Sequence, residues 1–425
     1  MIYFTIIFLT IVIILFSLKE KNLTNPAVIF SGIWLISLGL TSLKLYNMIS
    51  YSTKSILIVT MGIVSFAIGT VICIAIWRKI EKKEILKENS ENEEKINNIL
   101  FIVILTIGLI MVLILSIKVI ILLANGTSYY NIRKLYYSYG ENGSLINNDQ
   151  IFTLFDWTMS IIITLSTPVV IVQIMKKQIN KIAIAEYCVM IAAYVFATSG
   201  RMPIFIIIVE VILYLLLNKE NINLRLRRIA YGIVGTLAAA IICITVVRTS
   251  SSQNKKVNAL YEYFSLPLPY FSKLVDYIDK NEVQTYGAAT GYGPYLLVQK
   301  GIKVVTGYKF KNAEQLANII TKPQTYWVKI FQDTKDYYNA YATLFYYFYL
   351  DFRYVGVVIF SCIYGMTMEL VYLYYKKKKS IKMTIIYMMV MTGIIQSFAT
   401  WQFMSPAIII GLILSNFIVK KEKQK

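Results

Sequence analysis

Histidine is absent from this 425-residue chain, and the other residues of metal and nucleophile chemistry are scarce. Without histidine, the chain lacks the commonest general base and the commonest zinc ligand. All four cysteines lie in apolar stretches, where a small buried thiol is the usual arrangement: Cys73, Cys188, Cys243 and Cys362. We therefore expect no disulfide, no metal site and no cofactor.

Charged residues are also few, at 16% of the chain, whereas 57% of the residues are hydrophobic and the mean hydropathy is +0.60. This composition excludes an ordinary soluble domain. A bilayer core of roughly 30 Å needs about 20 apolar residues per helix. Apolar stretches predict eleven transmembrane helices, at residues 2–18, 27–43, 55–77, 99–124, 151–175, 182–197, 202–217, 229–247, 354–375, 383–396 and 404–419. The first stretch has neither the basic start nor the cleavage site of a signal peptide, so we expect a retained helix.

Basic residues in the loops predict the orientation of the chain in the membrane. The loops that hold 24 lysines and arginines are 19–26, 78–98, 176–181, 218–228, 376–382 and 420–425. The opposite short loops hold five and are 44–54, 125–150, 198–201 and 397–403. This bias predicts an external N-terminus and a cytoplasmic C-terminus. The net charge of +20 is then a consequence of topology, and we expect no nucleic-acid partner.

The predicted spans divide the chain into three parts. Residues 1–247 form a bundle of eight spans, residues 248–340 an extracytoplasmic loop, and residues 341–425 three further spans with a cytoplasmic tail. The loop is too aromatic for a disordered linker and too long for a simple connection, so we expect it to fold back as a cap. Its tyrosines suit stacking on sugar rings, with interfacial or loop-core positions as the alternative for any single tyrosine. The charged loop 78–98 is predicted to be a solvated linker or a helical extension.

Arginine is used sparingly, since only eight of the 43 basic residues are arginine. Four of the eight lie in predicted cytoplasmic loops and are explained by topology. The other four lie at the predicted outer boundary and are Arg133, Arg201, Arg248 and Arg353. Four separate segments thus bring a guanidinium group to one membrane face.

Arg201 lies in a four-residue connection between two predicted spans of about 24 Å each, which is shorter than the bilayer core. We expect Gly200 to end the first helix and Pro203 to lie in the first turn of the second. Backbone N–H groups and a positive helix end would then surround Arg201 and favour an anion. Guanidinium groups bind phosphate oxygens bidentately, which predicts a lipid-linked phosphate or diphosphate as ligand. The alternative, for Arg133 and Arg248 in particular, is an arginine that extends to lipid phosphate.

Four motifs accompany the outer arginines: YYNIRKLYYSYG after span 4, TSGRMPIF between spans 6 and 7, VVRTSS after span 8, and YNAYATLFYYFYLDFRYVG at the start of span 9. Together with the span number and one large late external loop, they resemble the oligosaccharide repeat-unit polymerases. These enzymes extend O-antigen and capsular polysaccharides on undecaprenyl diphosphate. The last motif departs from the family pattern Asp-Phe-Gly, because Arg353 follows Phe352, and this raises the question of the backbone conformation there.

The resemblance implies an all-α polytopic membrane protein of about 11 transmembrane helices, similar to the GT-C type of lipid-carrier glycosyltransferases, in the bacterial cytoplasmic membrane. It implies an enzyme that transfers the growing glycan from its lipid diphosphate to a sugar hydroxyl of the next lipid-linked repeat unit. Arg133, Arg201 and Arg248 would bind the diphosphate of donor or acceptor. The implied partners are the undecaprenyl-diphosphate-linked oligosaccharide, membrane lipid and a chain-length regulator protein.

The acceptor hydroxyl needs a carboxylate as its base, because histidine is absent. Asp351 is the first candidate and Asp336 the second, and a helix-terminal or ion-pairing role for Asp351 is an equal alternative. The candidate sugar-binding residues are Tyr338, Asn339 and Tyr341. Glu210, near the middle of span 7, is predicted to be a polar packing contact, although an intramembrane carboxylate also indicates possible function.

A flippase for the same lipid-linked units is the main alternative from another class, and a different polysaccharide-assembly membrane protein is a further one. A flippase needs cations along a central path, and Lys118 is the only cation predicted inside a span apart from the boundary arginines. Lys118 lies about 9 Å from the outer end of span 4 and can extend to the surface. The related O-antigen ligases use an external histidine, by that family's pattern, and this chain has none.

Overall fold

The computed structural model describes residues 1–20, 23–84, 93–138, 144–219, 222–249, 257–308 and 310–422. Helices dominate these residues. In chain order, the α-helices found there are α1 (Ile2–Glu20), α2 (Pro26–Ser42), α3 (Thr53–Glu84), α4 (Asn98–Ala124), α5 (Tyr129–Tyr137), α6 (Asp149–Met175), α7 (Lys181–Thr198), α8 (Met202–Leu217), α9 (Leu224–Thr249), α10 (Ala259–Ser265), α11 (Pro267–Lys280), α12 (Tyr292–Thr306), α13 (Ala313–Ile320), α14 (Lys322–Thr325), α15 (Leu344–Lys378), α16 (Ile381–Gln396) and α17 (Pro406–Ile418).

The apolar helices are those of a membrane-embedded protein. Among the described residues, six helices are long and apolar enough to cross a membrane, and they belong to α3, α4, α6, α7, α9 and α15. The shorter apolar helices correspond to α1, α2, α8, α16 and α17. Each of the eleven predicted stretches therefore contains one of these helices, in agreement with the mainly helical fold class, while a count of eleven spans stays a prediction.

The chain forms two compact units, and each unit combines segments that are distant in sequence. Unit 1 comprises Met1–Asn89, Gln253–Lys378 and Gly393–Pro406. Unit 2 comprises Ser90–Ser252, Lys379–Thr392 and Ala407–Lys425. The predicted outer arginines Arg133, Arg201 and Arg248 thus belong to unit 2, and the carboxylate candidates Asp336 and Asp351 belong to unit 1.

Two glycines determine how closely α3 and α15 pack in unit 1. A Cβ atom on Gly69 would lie 2.1 Å from the carbonyl oxygen of Cys362. A Cβ atom on Gly365 would lie 2.2 Å from the carbonyl oxygen of Phe66. Because any side chain would clash with backbone at both places, only glycine allows this approach.

From residue 257 onward, the described part of the long segment 248–340 is folded and belongs to unit 1. Its helix α11 buries one face at the spacing of an amphipathic helix, through Leu268, Phe271, Leu274, Val275 and Ile278. The segment is joined to α2 by two hydroxyl groups. Ser37 donates a hydrogen bond to the carbonyl oxygen of Phe264 (2.8 Å), and Thr41 donates to that of Ser265 (3.2 Å).

Helix α15 is broken near its start. Phe352 has φ −140° and ψ 31°, and Arg353 has φ 53° and ψ −135°. A Cβ atom on Gly356 would lie 2.3 Å from the carbonyl oxygen of Phe348, although a straight helix separates these residues by about 12 Å along its axis. The helix therefore bends sharply at residues 352 and 353.

The break separates Asp351 from the helical part that begins at residue 354, where span 9 is predicted to start. Residues 344–351 form a first helical part in which every residue is buried, so Asp351 ends this part and does not open the span. The sequence LFYYFYL is apolar on all sides and has no periodicity that distinguishes a buried helix from a loop. The predicted stretch 354–375 covers only the part after the break.

A two-stranded sheet in unit 2 is an addition to the predicted all-α fold. Strand β1 (Glu93–Ile96) pairs in antiparallel fashion with β2 (Val419–Glu422), with Glu93 opposite Glu422 and Ile96 opposite Val419. Strand β1 lies in the charged loop 78–98, and α3 extends into that loop as far as Glu84. Residues 85–92 of the loop lie outside the described residues.

Candidate functional site

The connection between α7 and α8 is tight, as the sequence predicts, but it is built differently. Pro203 lies in the first turn of α8, as predicted. Ser199, with φ 52°, is the left-handed residue that ends α7, so the prediction of this role for Gly200 was wrong. The N–H of Gly200 donates to Oγ1 of Thr198 (3.2 Å), and a Cβ atom on Gly200 would lie 2.9 Å from that oxygen. Gly200 therefore packs closely against this side chain and does not have a positive φ.

Arg201 lies at the start of α8 in an ordinary backbone conformation. It is the N-cap residue, with φ −95° and ψ −14°, and its side chain makes no capping hydrogen bond. The first N–H groups of a helix have no partner inside the helix, and the helix dipole is positive at this end. The start of α8, a helix of 16 residues, therefore favours an anion beside Arg201.

Arg133 reaches the same connection from α5. Its Nη1 donates to the carbonyl oxygen of Ser199 (3.4 Å), and its Cζ lies 4.9 Å from the centroid of the Tyr137 ring. Ser199 is fully buried, and within the described residues its Oγ has no hydrogen-bond partner. The structure thus brings Arg133 and Arg201 to one connection, where a buried hydroxyl group can still bond to an oxygen. The side chain of Arg248 lies outside the described residues.

Asp351 is fully buried at the end of the first part of α15, and hydrogen bonds engage both of its carboxylate oxygens. Oδ1 accepts from Oγ1 of Thr285 (2.5 Å) and from the N–H of Ala289 (3.0 Å), and Oδ2 accepts from the N–H of Thr290 (2.8 Å). A general base must reach the proton of the substrate. Of the two roles open for Asp351, this geometry favours the structural one, in which it anchors the turn at 285–290.

Asp336 is exposed and lies near a buried phenol group. Burial raises the pKa of Tyr338, and the negative charges of Glu262 and Asp336 raise this pKa further. Two carboxylates therefore act on one tyrosine hydroxyl group, and the raised pKa keeps this hydroxyl group protonated. Glu262 is not among the residues predicted for the site, and its one signal in the sequence is an acidic residue in the tyrosine-rich run YEYF.

The candidate sugar-binding residues make contacts within the loop of unit 1. Nδ2 of Asn339 donates to the carbonyl oxygen of Gln324 (2.6 Å). The Tyr338 ring lies edge-on to Phe331, with centroids 5.6 Å apart, and the Tyr341 ring lies edge-on to Tyr263 at 5.9 Å. These contacts hold the loop together, which is the alternative role considered for its tyrosines.

An open cleft of about 470 Å³ lies among α11, α13 and α14 and presents groups suited to sugars. Its lining residues are Tyr277, Glu314, Gln315, Asn318, Ile319 and Lys322. The flat ring of a tyrosine can pack on a sugar ring, while amide and carboxylate groups can bond to sugar hydroxyls. No sequence motif indicated this cleft, because three helices contribute to it.

Two polar residues inside the apolar helices of unit 2 have local partners. Glu210 is buried, and its Oε1 accepts a hydrogen bond from Oγ1 of Thr392 (3.2 Å), which is the polar packing contact that the sequence predicts. Nζ of Lys118 donates to the carbonyl oxygens of Ser144 (3.3 Å) and Leu145 (2.6 Å). Lys118 is therefore bonded to the backbone of the segment after α5.

Comparison with known proteins assigns no family to this chain. No family model, curated protein or solved structure matches the chain. The residues described above therefore have to indicate the function by their own chemistry.

Proposed function

We propose that the chain is a membrane glycosyltransferase that joins undecaprenyl-diphosphate-linked oligosaccharide repeat units into a polysaccharide at the outer face of the bacterial cytoplasmic membrane. The convergence of Arg133 and Arg201 on the 198–201 connection carries this proposal. Two guanidinium groups, the start of α8 and the buried hydroxyl group of Ser199 suit a diphosphate. A chain-length regulator protein is a further proposed partner.

The proposed reaction exchanges one bond at the anomeric carbon of the donor glycan. The bond from this carbon to a diphosphate oxygen breaks, and a bond to the hydroxyl oxygen of the acceptor unit forms. The lipid diphosphate leaves with one additional negative charge, and the hydroxyl proton passes to a carboxylate. Arg133 and Arg201 would stabilise the charge that develops on the leaving group, because preorganised cations are most effective where charge appears in the transition state.

Among the carboxylates, we propose Asp336 as the base, and Glu262 acts on the same tyrosine, Tyr338. Asp336 is exposed, whereas Asp351 is buried and bonded to three donors. Asp351 would then anchor the turn at 285–290 within unit 1. The cleft beside Tyr277 is the proposed position of part of the glycan.

A comparison of cell-envelope glycans from cells with and without the gene for this chain tests the proposed function. Cells with the gene should produce a ladder of long glycan, and cells without it should accumulate single lipid-linked repeats on the outer face. A flippase predicts a different result, namely single repeats that accumulate on the cytoplasmic face. The latter result would exclude the polymerase. The structure offers a separate argument against a flippase, which needs free cations along a central path, because Lys118 is bonded to backbone carbonyl oxygens.

A further inference from the structure

The break in α15 contains an arginine where the backbone favours glycine. Arg353 has φ 53° and ψ −135°, a combination that residues with a Cβ atom rarely adopt. The hydrogen bonds of Asp351 to the turn at 285–290 explain why the helix breaks here. They do not explain an arginine at the strained position. Strained residues of this kind cluster at active sites and at sites that bind ligands, where the surrounding structure maintains them.

The guanidinium group of Arg353 is partly buried and has a hydrogen-bond donor to spare. Its Cζ lies 5.4 Å from the centroid of the Tyr349 ring. Within the described residues, its Nη1 is buried without a hydrogen-bond partner, and no carboxylate pairs with the group. Buried donors in proteins are nearly always satisfied. The group therefore lacks an acceptor, and a bound anion would supply one.

A second cation lies at the same tyrosine. Nζ of Lys54 lies 5.6 Å from the centroid of the Tyr349 ring and 5.7 Å from that of Tyr354. Lys54 pairs with Oδ2 of Asp279 (2.5 Å), and the hydroxyl group of Tyr349 donates to Oδ1 of the same carboxylate (2.8 Å). Both oxygens of Asp279 are thus engaged by Lys54 and Tyr349. The cluster of two cations and one carboxylate keeps a net positive charge.

We propose that Arg353 and Lys54 form a second oxyanion site, in unit 1, which binds the phosphate groups of a lipid-linked glycan. The guanidinium fork would bind two phosphate oxygens, and the ammonium group would add a point charge. Phe352 and Val355, on either side of Arg353, are 38% and 62% exposed, which leaves apolar surface for the lipid chain. The lipid-linked identity of the ligand rests on the proposed function, in which one reaction uses two diphosphate-bearing substrates.

The number of undecaprenyl diphosphate molecules that the purified full-length chain binds in lipid nanodiscs tests this inference. The parent chain should bind two, Arg353→Gly one, and Arg201→Ala one. Arg353→Gly removes the fork and also relieves the positive φ, so the variant should melt at the same temperature as the parent or a higher one. Arg353→Lys keeps the charge without the fork and should bind at this site about tenfold more weakly or worse. Two molecules bound to Arg353→Gly with the affinity of the parent would overturn the site.

Inorganic pyrophosphate separates the lipid-linked ligand from a free one. We expect it to compete at the Arg353 site about tenfold more weakly than undecaprenyl diphosphate, because it lacks the lipid chain. Equal competition would overturn the lipid-linked identity. Failure of this inference also differs from failure of the proposed function. Two bound molecules without any polymer would contradict the polymerase alone, and normal polymer from Arg353→Gly with both molecules bound would contradict the second site alone.

Discussion

The 198–201 connection and the break in α15 both present an arginine between two helical segments, but the backbone accommodates the two arginines differently. Arg201 has φ −95°, in the ordinary range, whereas Arg353 has φ 53°. The connection uses Gly200 and Pro203 as local breaks, while the break in α15 has no glycine or proline before Gly356. Contacts with the distant turn at 285–290 maintain the second break.

The difference shows that local sequence determines one site and tertiary structure the other. The shape of the connection depends on residues within it: Ser199 ends α7 with a positive φ, and Pro203 lies in the first turn of α8. The break costs on the order of 1–3 kcal/mol, and the three hydrogen bonds of Asp351 to the turn at 285–290 help to maintain it. Substitutions at the arginines Arg201 and Arg353 and at the carboxylates Asp336 and Asp351 should therefore have separable effects on activity and stability.

The largest effect is expected for Arg201→Ala. If the guanidinium group stabilises the leaving diphosphate, polymerisation should fall about a thousandfold, as for the loss of one donor to a developing anion. Arg201→Lys keeps the charge but loses the fork and should cost about 2 kcal/mol or more in the activation free energy. Glycan ladders from cells that produce each variant at the level of the parent provide the measurement.

Arg225→Ala is the matched control, since Arg225 is exposed and lies in a predicted cytoplasmic loop. It should leave the ladder unchanged. Equal polymer from Arg201→Lys and the parent would show that Arg201 serves only as a membrane anchor.

The next largest effect is expected for Asp336→Asn. Loss of a general base should reduce the rate of polymerisation about a hundredfold or more, while the melting temperature stays that of the parent because Asp336 is exposed. Polymerisation rates measured on purified protein, together with thermal unfolding, separate the effect on activity from the effect on the melting temperature. Normal polymer length from this variant would remove Asp336 from the proposed mechanism.

Asp351→Asn should act mainly on stability. The asparagine amide would place a donor where the carboxylate now accepts, so one of three hydrogen bonds is lost at a cost of about 1–3 kcal/mol in the free energy of unfolding. Thermal unfolding of the purified variant should show a lower melting temperature. Loss of polymer at an unchanged melting temperature would instead favour Asp351 as the base.

Replacement of Arg353 or Arg201 by glycine should have the smallest effects, which concern the free energy of unfolding. The two effects should have opposite signs. Arg353→Gly relieves a positive φ and should stabilise unit 1 by about 1 kcal/mol. Arg201→Gly replaces an N-cap residue in an ordinary conformation and should destabilise unit 2 by only about 0.3 kcal/mol through chain entropy, because glycine is well tolerated at an N-cap. Melting temperatures of the two variants provide the comparison, and a lower value for Arg353→Gly would contradict the strain at residue 353.

Hydropathy and breaker residues predicted much of the helical framework. The predicted stretch 99–124 corresponds to Asn98–Ala124 and the stretch 202–217 to Met202–Leu217, because long apolar runs have few other options in a membrane. The tight connection around Arg201 was also predicted from Pro203 and the short spacing. The approach of Arg133 to this connection depends on the packing of α5, which no local pattern indicates.

The other features missed by sequence analysis all depend on pairing between distant segments. The residues EEKI and VKKE form a sheet only because residues 93–96 and 419–422 meet. Asp351 bonds to a turn about 60 residues earlier in the chain, and Lys54 pairs with Asp279. Periodicity and composition describe one segment at a time, so they could not locate the break in α15 or the cation cluster beside Tyr349.

Reconstitution of the purified chain into vesicles with undecaprenyl-diphosphate-linked repeat units, and no other glycan donor, tests the central claim most directly. Oligomers of two or more repeats should form, and one undecaprenyl diphosphate should be released for each new glycosidic bond. Arg201→Ala should form neither product. Movement of the repeat units across the bilayer without new bonds or released lipid diphosphate would contradict a polymerase and identify a flippase.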